Sequence, residues 1–367
     1  MNTASRLHSR RQALLVCLAG GLPASVLWAQ GSPVQAPGPE PAAPPALWWP
    51  PERHWQRLRE RAPQSPEVQA VMKAQYQLLA RGWSQPPQAL AHLPAEPRWQ
   101  GEAPPRRVAD SLGEFEQLQA LAFLFTLNGQ AAYRERALEL LRPWARSLGP
   151  VAQPLALRWL EPAMWAYRLL RPHLGAPDRV RLDTWWQAHA LAQQGDRQLD
   201  RPDALDRRNS HRLCSIGLIG WALGDATLVE AARRGLQQQL MDALLPTGES
   251  LDFRQSGRLA DQVDALRPLL TLALALRESG DDLYHWGTPT GASMARSVAW
   301  LLARTQNPSR YPELRAQTLE AAQLLPLQAL IEAWQPGLTP LGTGAGRQHS
   351  PAGVRLRLLL NSLPEER

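Results

Sequence analysis

The stretch Asn209-Ser210-His211-Arg212-Leu213-Cys214-Ser215-Ile216-Gly217-Leu218-Ile219-Gly220-Trp221-Ala222-Leu223-Gly224-Asp225 sets the terms for the rest of the chain. Asn209 and Ser210 are good helix-capping residues, which predicts a helix start there with His211 in its first turn. An almost unbroken apolar run follows from Leu213 to Leu223, closed by Gly224-Asp225. A helix apolar on every side is a buried helix. This one is therefore expected in the middle of the protein, with a titratable side chain at its mouth.

Outward from this helix the same pattern repeats: a buried helix, a short Gly/Asn/Asp turn, then an amphipathic helix. It occurs around Gly129, Gly224 and Gly280. Apolar spacing predicts helices over 52–62, 66–81, 115–127, 133–148, 155–170, 178–194, 227–245, 259–276, 294–305 and 313–334. No β-hairpin signal is present. Helical hairpins bury little alone, so they must stack in a row or around a ring. The all-α ring, with apolar helices inside and amphipathic ones outside, is the expected architecture. Residues 83–110 fit neither period: Trp83, Trp99 and six prolines stand among polar residues, as in a functional loop on one rim.

The ends of the chain read differently. Residues 1–29 have the arginines, apolar core and Ala29 of an export signal, with Ser9-Arg10-Arg11 hinting at the twin-arginine route. A Pro/Ala-rich linker follows over 30–47, then one domain over 48–340 and a Gly/Pro/Arg-rich tail over 341–367. A periplasmic or secreted, monomeric protein is expected. Cys17 lies in the signal, which leaves Cys214 without a disulfide partner. The net charge of +7 includes three signal arginines, and Lys73 is the only lysine. No Lys/Arg-dense run marks a nucleic-acid surface. The residual positive charge suits an anionic substrate.

Two elements could carry chemistry. His211, at the positive end of a helix dipole, would tend to be neutral near pH 7, as a general base must be; the same histidine could equally be a satisfied polar residue at a helix entrance. The second element is 248–258, where Arg254 and Arg258 are four apart. If helical, they share a face and could hold a carboxylate. Ion pairing with Glu249, Asp252 or Asp261 is the plain alternative. Of the 15 tryptophans, Trp83, Trp99, Trp159 and Trp221 are candidate sugar platforms, the loop residues Trp83 and Trp99 the better two. Trp144, Trp165 and Trp300 read as core.

Several of these segments, in this order, resemble the alginate lyase family of polysaccharide lyases. They are Asn209-Ser210-His211, Leu223-Gly224-Asp225, the element from Gly248 into Ala265-Leu266-Arg267-Pro268-Leu269, and Ser279-Gly280-Asp281-Asp282-Leu283-Tyr284. The helix pair over 118–145, around Asn128-Gly129-Gln130-Ala131-Ala132-Tyr133, is similar to the family's early repeat. The resemblance spans roughly residues 50–335. It implies an incomplete α/α toroid, β-elimination on an acidic, uronate-containing polysaccharide such as alginate, and no metal or other cofactor. A lyase neutralises the uronate carboxylate, removes the C5 proton and protonates the departing glycosidic oxygen.

On the resemblance, His211 matches the family histidine, Asn209 the first asparagine and Arg254 the carboxylate-neutralising arginine, with Arg258 in support. Ser210 stands where a second asparagine is usual, and Asp261 where the catalytic tyrosine is usual. Arg212 and Leu213 replace an aromatic pair. Ser210, Trp83, Trp99 and Asp261 are the expected substrate contacts. The departures keep two further readings open, a catalytically degenerate carbohydrate-binding protein of the cell envelope and a helical scaffold with no glycan role.

Overall fold

The computed structural model describes residues 52–94, 105–195, 205–277, 282–306, 308–311, 314, 317, 319 and 321–335. The expected signal, linker and tail lie outside these, as do Trp99 and residues 279–281. All described residues belong to one compact unit.

Thirteen α-helices are described: α1 Glu52–Arg61, α2 Pro66–Gly82, α3 Arg106–Asn128, α4 Ala131–Ser147, α5 Pro154–Leu157, α6 Glu161–Leu170, α7 Ala176–Gly195, α8 Arg207–Leu223, α9 Ala226–Ala243, α10 Leu251–Ser256, α11 Leu259–Leu276, α12 Met294–Gln306 and α13 Ala321–Glu332. The β pairing among the described residues is a single bridge, Leu244 to Ser250. No helix among them is long and apolar enough to cross a membrane.

The packing order defines the architecture. α3 packs on α6, α6 on α8, α8 on α11 and α11 on α13, which makes an inner series. Around it, α4 bridges α3 and α7, α7 leans on α8, α9 covers α8 and α11, and α12 covers α11. No comparable packing returns α13 to α1–α3 among the described residues, so the ring stays open. This is an incomplete α/α toroid.

Helix α8 shows why the sequence folds this way. Every residue from Asn209 to Leu223 is buried. Gly217 and Gly220 make that possible. A Cβ on Gly217 would strike Leu272 of α11 and Ala232 of α9, and one on Gly220 would strike Leu228 and the backbone of Val229. The glycines let two neighbours approach the backbone closely. At the far end Gly224 takes a left-handed conformation at φ 70° and closes the helix, with the Asp225 N–H donating to the Gly220 carbonyl (2.8 Å).

The structure moves several expected boundaries. The α8 cap is Asp206, whose carboxylate accepts from the Arg208 N–H at 2.7 Å, not Asn209 or Ser210. His211 therefore sits in the second helical turn, where the dipole argument loses force. The 155–170 helix is broken by a 3₁₀ turn, Arg158–Leu160, because Pro162 cannot donate a backbone hydrogen bond. Helix α3 begins at Arg106, inside the expected loop, and the last helix is shorter than its apolar pattern.

Candidate active site

The charged residues of α8 and α11 converge. Arg207 and His211 are four apart on α8; Asp261, Asp264 and Arg267 follow at three-residue spacing on α11. In otherwise apolar inner helices, such rows have only each other to pair with. Asp264 is the hub. Its carboxylate lies 3.5 Å from His211 Nε2, 3.1 Å from Arg207 Nε and 3.4 Å from Arg158 Nη1. Neither His211 Nε2 nor Arg207 Nε is aligned well enough for a hydrogen bond, whereas Arg158 Nη1 donates one. Arg207 also donates to Asp252 through its backbone N–H (3.0 Å) and its guanidinium (3.3 Å), and reaches Asp261 at 3.8 Å.

The electrostatics follow from burial and charge. Burial pushes the His211 pKa down; Asp264 opposes this, while Arg267 and Arg158 reinforce it. The imidazole is therefore held neutral. Burial alone would raise the Asp264 pKa, but contact with His211 and the charges of Arg158 and Arg267 outweigh it and hold the carboxylate well below its usual range. Asp264 keeps 29% of its side-chain surface accessible although it lies deep among protein atoms. Part of this carboxylate therefore meets solvent among residues that are otherwise buried. The edge of the cluster, its rim, is marked by Trp159, beneath the Arg158 guanidinium (5.5 Å), whose indole N–H donates to the Pro94 carbonyl. The loop over 83–94 thus ends beside the cluster.

Pro268 adds a local distortion. It lies four residues after Asp264, so the Asp264 carbonyl lacks the usual N–H donor four residues on. Asp252, nearby, is raised by burial, offset mainly by Arg207. Asp206 is pushed up to about 6 by burial, with Asp252 adding to the shift.

The expected site residues divide. His211 is in the cluster, and Asp261 is at its edge. Asn209 is buried and engaged by the fold: its amide donates to Gln239 (2.6 Å) and accepts from Arg212 (3.3 Å). Ser210 accepts from Gln239 (3.1 Å). Arg254 is exposed and pairs with Glu249 at 2.6 Å, and Arg258 grips Asp261 through two hydrogen bonds of 2.9 and 3.1 Å. The two do not share a helical face, because Gly257 turns left-handed (φ 69°) between α10 and α11 and Arg258 caps α11. Trp221 is buried against Trp165, Trp159 is half-buried at the rim, and Trp83 stands elsewhere, between α2 and α4. None of the five tyrosines has a described contact with His211 or Asp264. The two most buried are occupied elsewhere: Tyr167 donates to Asp183, and Tyr284 stacks on Trp334. Two hollows, of about 270 and 560 Å³, are lined by α2/α4 residues and by residues around Trp55 and Phe125, not by the charged cluster.

The alginate lyase family model matches residues 68–311, well over half of the chain and all of the charged cluster. The fold is similar to that of an alginate lyase from Bacteroides ovatus, with a TM-score of 0.66 at 14% identity, covering 86% of this chain and 98% of that one. It is also similar to alginate lyase A1-III from Sphingomonas species A1, with a TM-score of 0.58 at 17% identity over 82% and 93% of the two chains. A histidine-to-alanine variant of A1-III complexed with a tetrasaccharide gives 0.60 at 18% identity, over 85% and 95%. No curated protein sequence matches the chain. At such identities the solved structures establish the shared toroid. The family match goes further: this chain is a member of the alginate lyase family of polysaccharide lyases.

Proposed function

We propose that the protein is an exported polysaccharide lyase, periplasmic or secreted, that cleaves an acidic uronate-containing polysaccharide such as alginate by β-elimination. The observation that carries this reading is the pairing of a neutral, buried His211 with an ionised, partly accessible Asp264, with Arg158 and Arg207 in contact with the carboxylate and the charge of Arg267 acting on it. His211 takes the C5 proton of the uronate. The electrons of that C–H bond form the C4=C5 double bond, and the C4–O glycosidic bond breaks. The guanidiniums stabilise the charge that builds on the substrate carboxylate as the proton leaves. Asp264 orients the imidazole and stabilises it once protonated. With no tyrosine at the cluster, the departing oxygen is protonated by water or by the imidazolium that has just formed.

A second reading has its own support. Arg254 and Arg258 are engaged by Glu249 and Asp261, and His211 is almost fully buried. That arrangement suits a catalytically degenerate carbohydrate-binding protein. One assay separates the two. Mature protein is incubated with alginate, polyglucuronate and related polymers while the ultraviolet absorbance of unsaturated uronate ends is followed. A rise that His211→Ala abolishes is the expected result. No rise on any polymer, with saturable binding retained, would transfer the assignment to the binding protein.

A further inference from the structure

The hollow between α2 and α4 shares no residue and no helix with the charged cluster. Tyr76, Leu79, Ala80 and Trp83 line it from the α2 side and Tyr133 from α4, around a space of about 270 Å³. The α2 residues recur at 76, 79, 80 and 83, so they form one helical stripe. Tyr76 is 40% exposed and Trp83 41%, and among the described residues these are the only exposed large hydrophobic side chains that are aromatic.

The hollow is also rigidly built. The Trp83 ring stands edge-on to Tyr133, with centroids 5.9 Å apart and planes at 88°. Arg136 donates to the carbonyls of Gly82 (3.1 Å) and Gln85 (2.6 Å), which fixes the turn that carries Trp83. Tyr76 and Asn128 are the polar neighbours of the Tyr133 hydroxyl. The result is a held aromatic wall with hydroxyls at its edge. A pyranose ring has the matching chemistry, an apolar C–H face and an equatorial fringe of hydroxyls. The α2 stripe continues one turn back to the exposed Lys73, a cation within reach of a carboxylate on such a ring.

We propose that this hollow is a second, non-catalytic saccharide site that takes an acidic pyranose unit of a polysaccharide, stacked on Trp83, bordered by Tyr133 and hydrogen-bonded by Tyr76. The inference rests on the polysaccharide-lyase reading for its ligand class, but not on turnover. A site of this kind holds a polymer on the protein and raises its local concentration at the charged cluster.

The test is electrophoresis of the full mature chain through native gels containing alginate, polyglucuronate or neutral dextran. Retardation by the two acidic polymers and not by dextran is expected. Tyr76→Ala and Trp83→Ala should each weaken it by about three- to tenfold, and Lys73→Gln less. Circular dichroism spectra matching the unsubstituted protein show that the variants are folded, and Trp83→Phe, which keeps a ring, should recover part of the loss. No retardation by either acidic polymer overturns the site, as does retardation that Tyr76→Ala and Trp83→Ala leave unchanged. Equal retardation by dextran overturns the acidic class. Loss of retardation in His211→Ala alone would place all polymer binding at α8 and α11 and also overturn it. Retardation sensitive to Tyr76 in a protein that releases no unsaturated ends would sustain the site and remove the lyase reading instead.

Discussion

Two buried histidines, on consecutive long helices, have opposite surroundings. His189 of α7 accepts the Val151 N–H on Nδ1 (3.0 Å), while Gln193, one turn on, donates to the carbonyl of the same residue (2.6 Å). Trp185 and Trp186 flank the ring, and burial pushes its pKa down to about 4. Its nearest polar neighbours are neutral, so it staples the α4–α5 connection to α7. His211 of α8 is buried as completely and its pKa moves in the same direction, yet it faces a carboxylate and a set of guanidiniums. Burial makes both histidines neutral; only the carboxylate beside His211 can stabilise the imidazolium that forms when a proton is taken up. A depressed pKa alone therefore does not identify a base.

Breaking each histidine should separate the two roles. The largest effect is expected from His211→Ala, a loss of about 10³-fold in elimination rate with the fold retained. His189→Ala should leave the rate per folded molecule unchanged and lower the unfolding free energy by about 2 kcal/mol, because the Val151 N–H loses its partner and the buried ring leaves a cavity. Rates against polymer and denaturant unfolding of both variants check the contrast.

The next effect sharpens the role of Asp264. Its negative charge raises the His211 pKa against the pull of burial, so removing it must lower that pKa further. Asp264→Asn should cut the rate by about tenfold or more and move the acid limb of the pH–rate profile to lower pH. A limb that moves upward would exclude the orienting role.

Stability should carry the signature of His189. In the unfolded chain its imidazole titrates near 6.5, but in the fold at about 4. Above 6.5 both states are neutral and its contribution is fully present. As pH falls from 6.5 to 4 only the unfolded chain takes up the proton, and stability drops by up to about 3 kcal/mol. His189→Gln should flatten that dependence in urea titrations across the same window.

The smallest effect has the opposite sign. Asp206 titrates at about 6 in the fold, against 3.8 when unfolded, so it costs stability as pH rises through that interval. Asp206→Asn keeps a capping side chain and removes the charge beside Asp252. With allowance for solvent screening, it should stabilise the fold above pH 6 by about 1 kcal/mol.

Much of this was legible in the residues. The apolar run of α8, the turns at Gly129 and Gly224 and the helical periods were enough to specify a ring of helical hairpins, because burial is a local property of a pattern. His211 was legible for the same reason, as a polar interruption at the mouth of a buried helix. Its partners were not. Asp264 and Arg267 sit on α11 at a spacing that marks one helical face, and Arg207 stands one turn before His211. That spacing is a signal in the residues themselves, in competition with the one from Arg254 and Arg258. Whether those two share a helix depends on the left-handed turn at Gly257. Arg158 was hidden more deeply, since a 3₁₀ turn inside an expected helix is what aims it at Asp264. The α8 boundary was misplaced by one turn because Asp206, Asn209 and Ser210 are all competent caps, and tertiary packing selected the first.

The glycine contact between α8 and α11 has a consequence for tolerance to change. Leu272, which fills the space at Gly217, lies two turns beyond Asp264 on the same stripe of α11. One methyl group added at Gly217 would force Leu272 to shift, and any part of that shift taken up by α11 moves the carboxylate relative to the imidazole. In a saturation scan for turnover, Gly217 should therefore score among the catalytic positions, although it carries no functional group and touches no polar atom of the site.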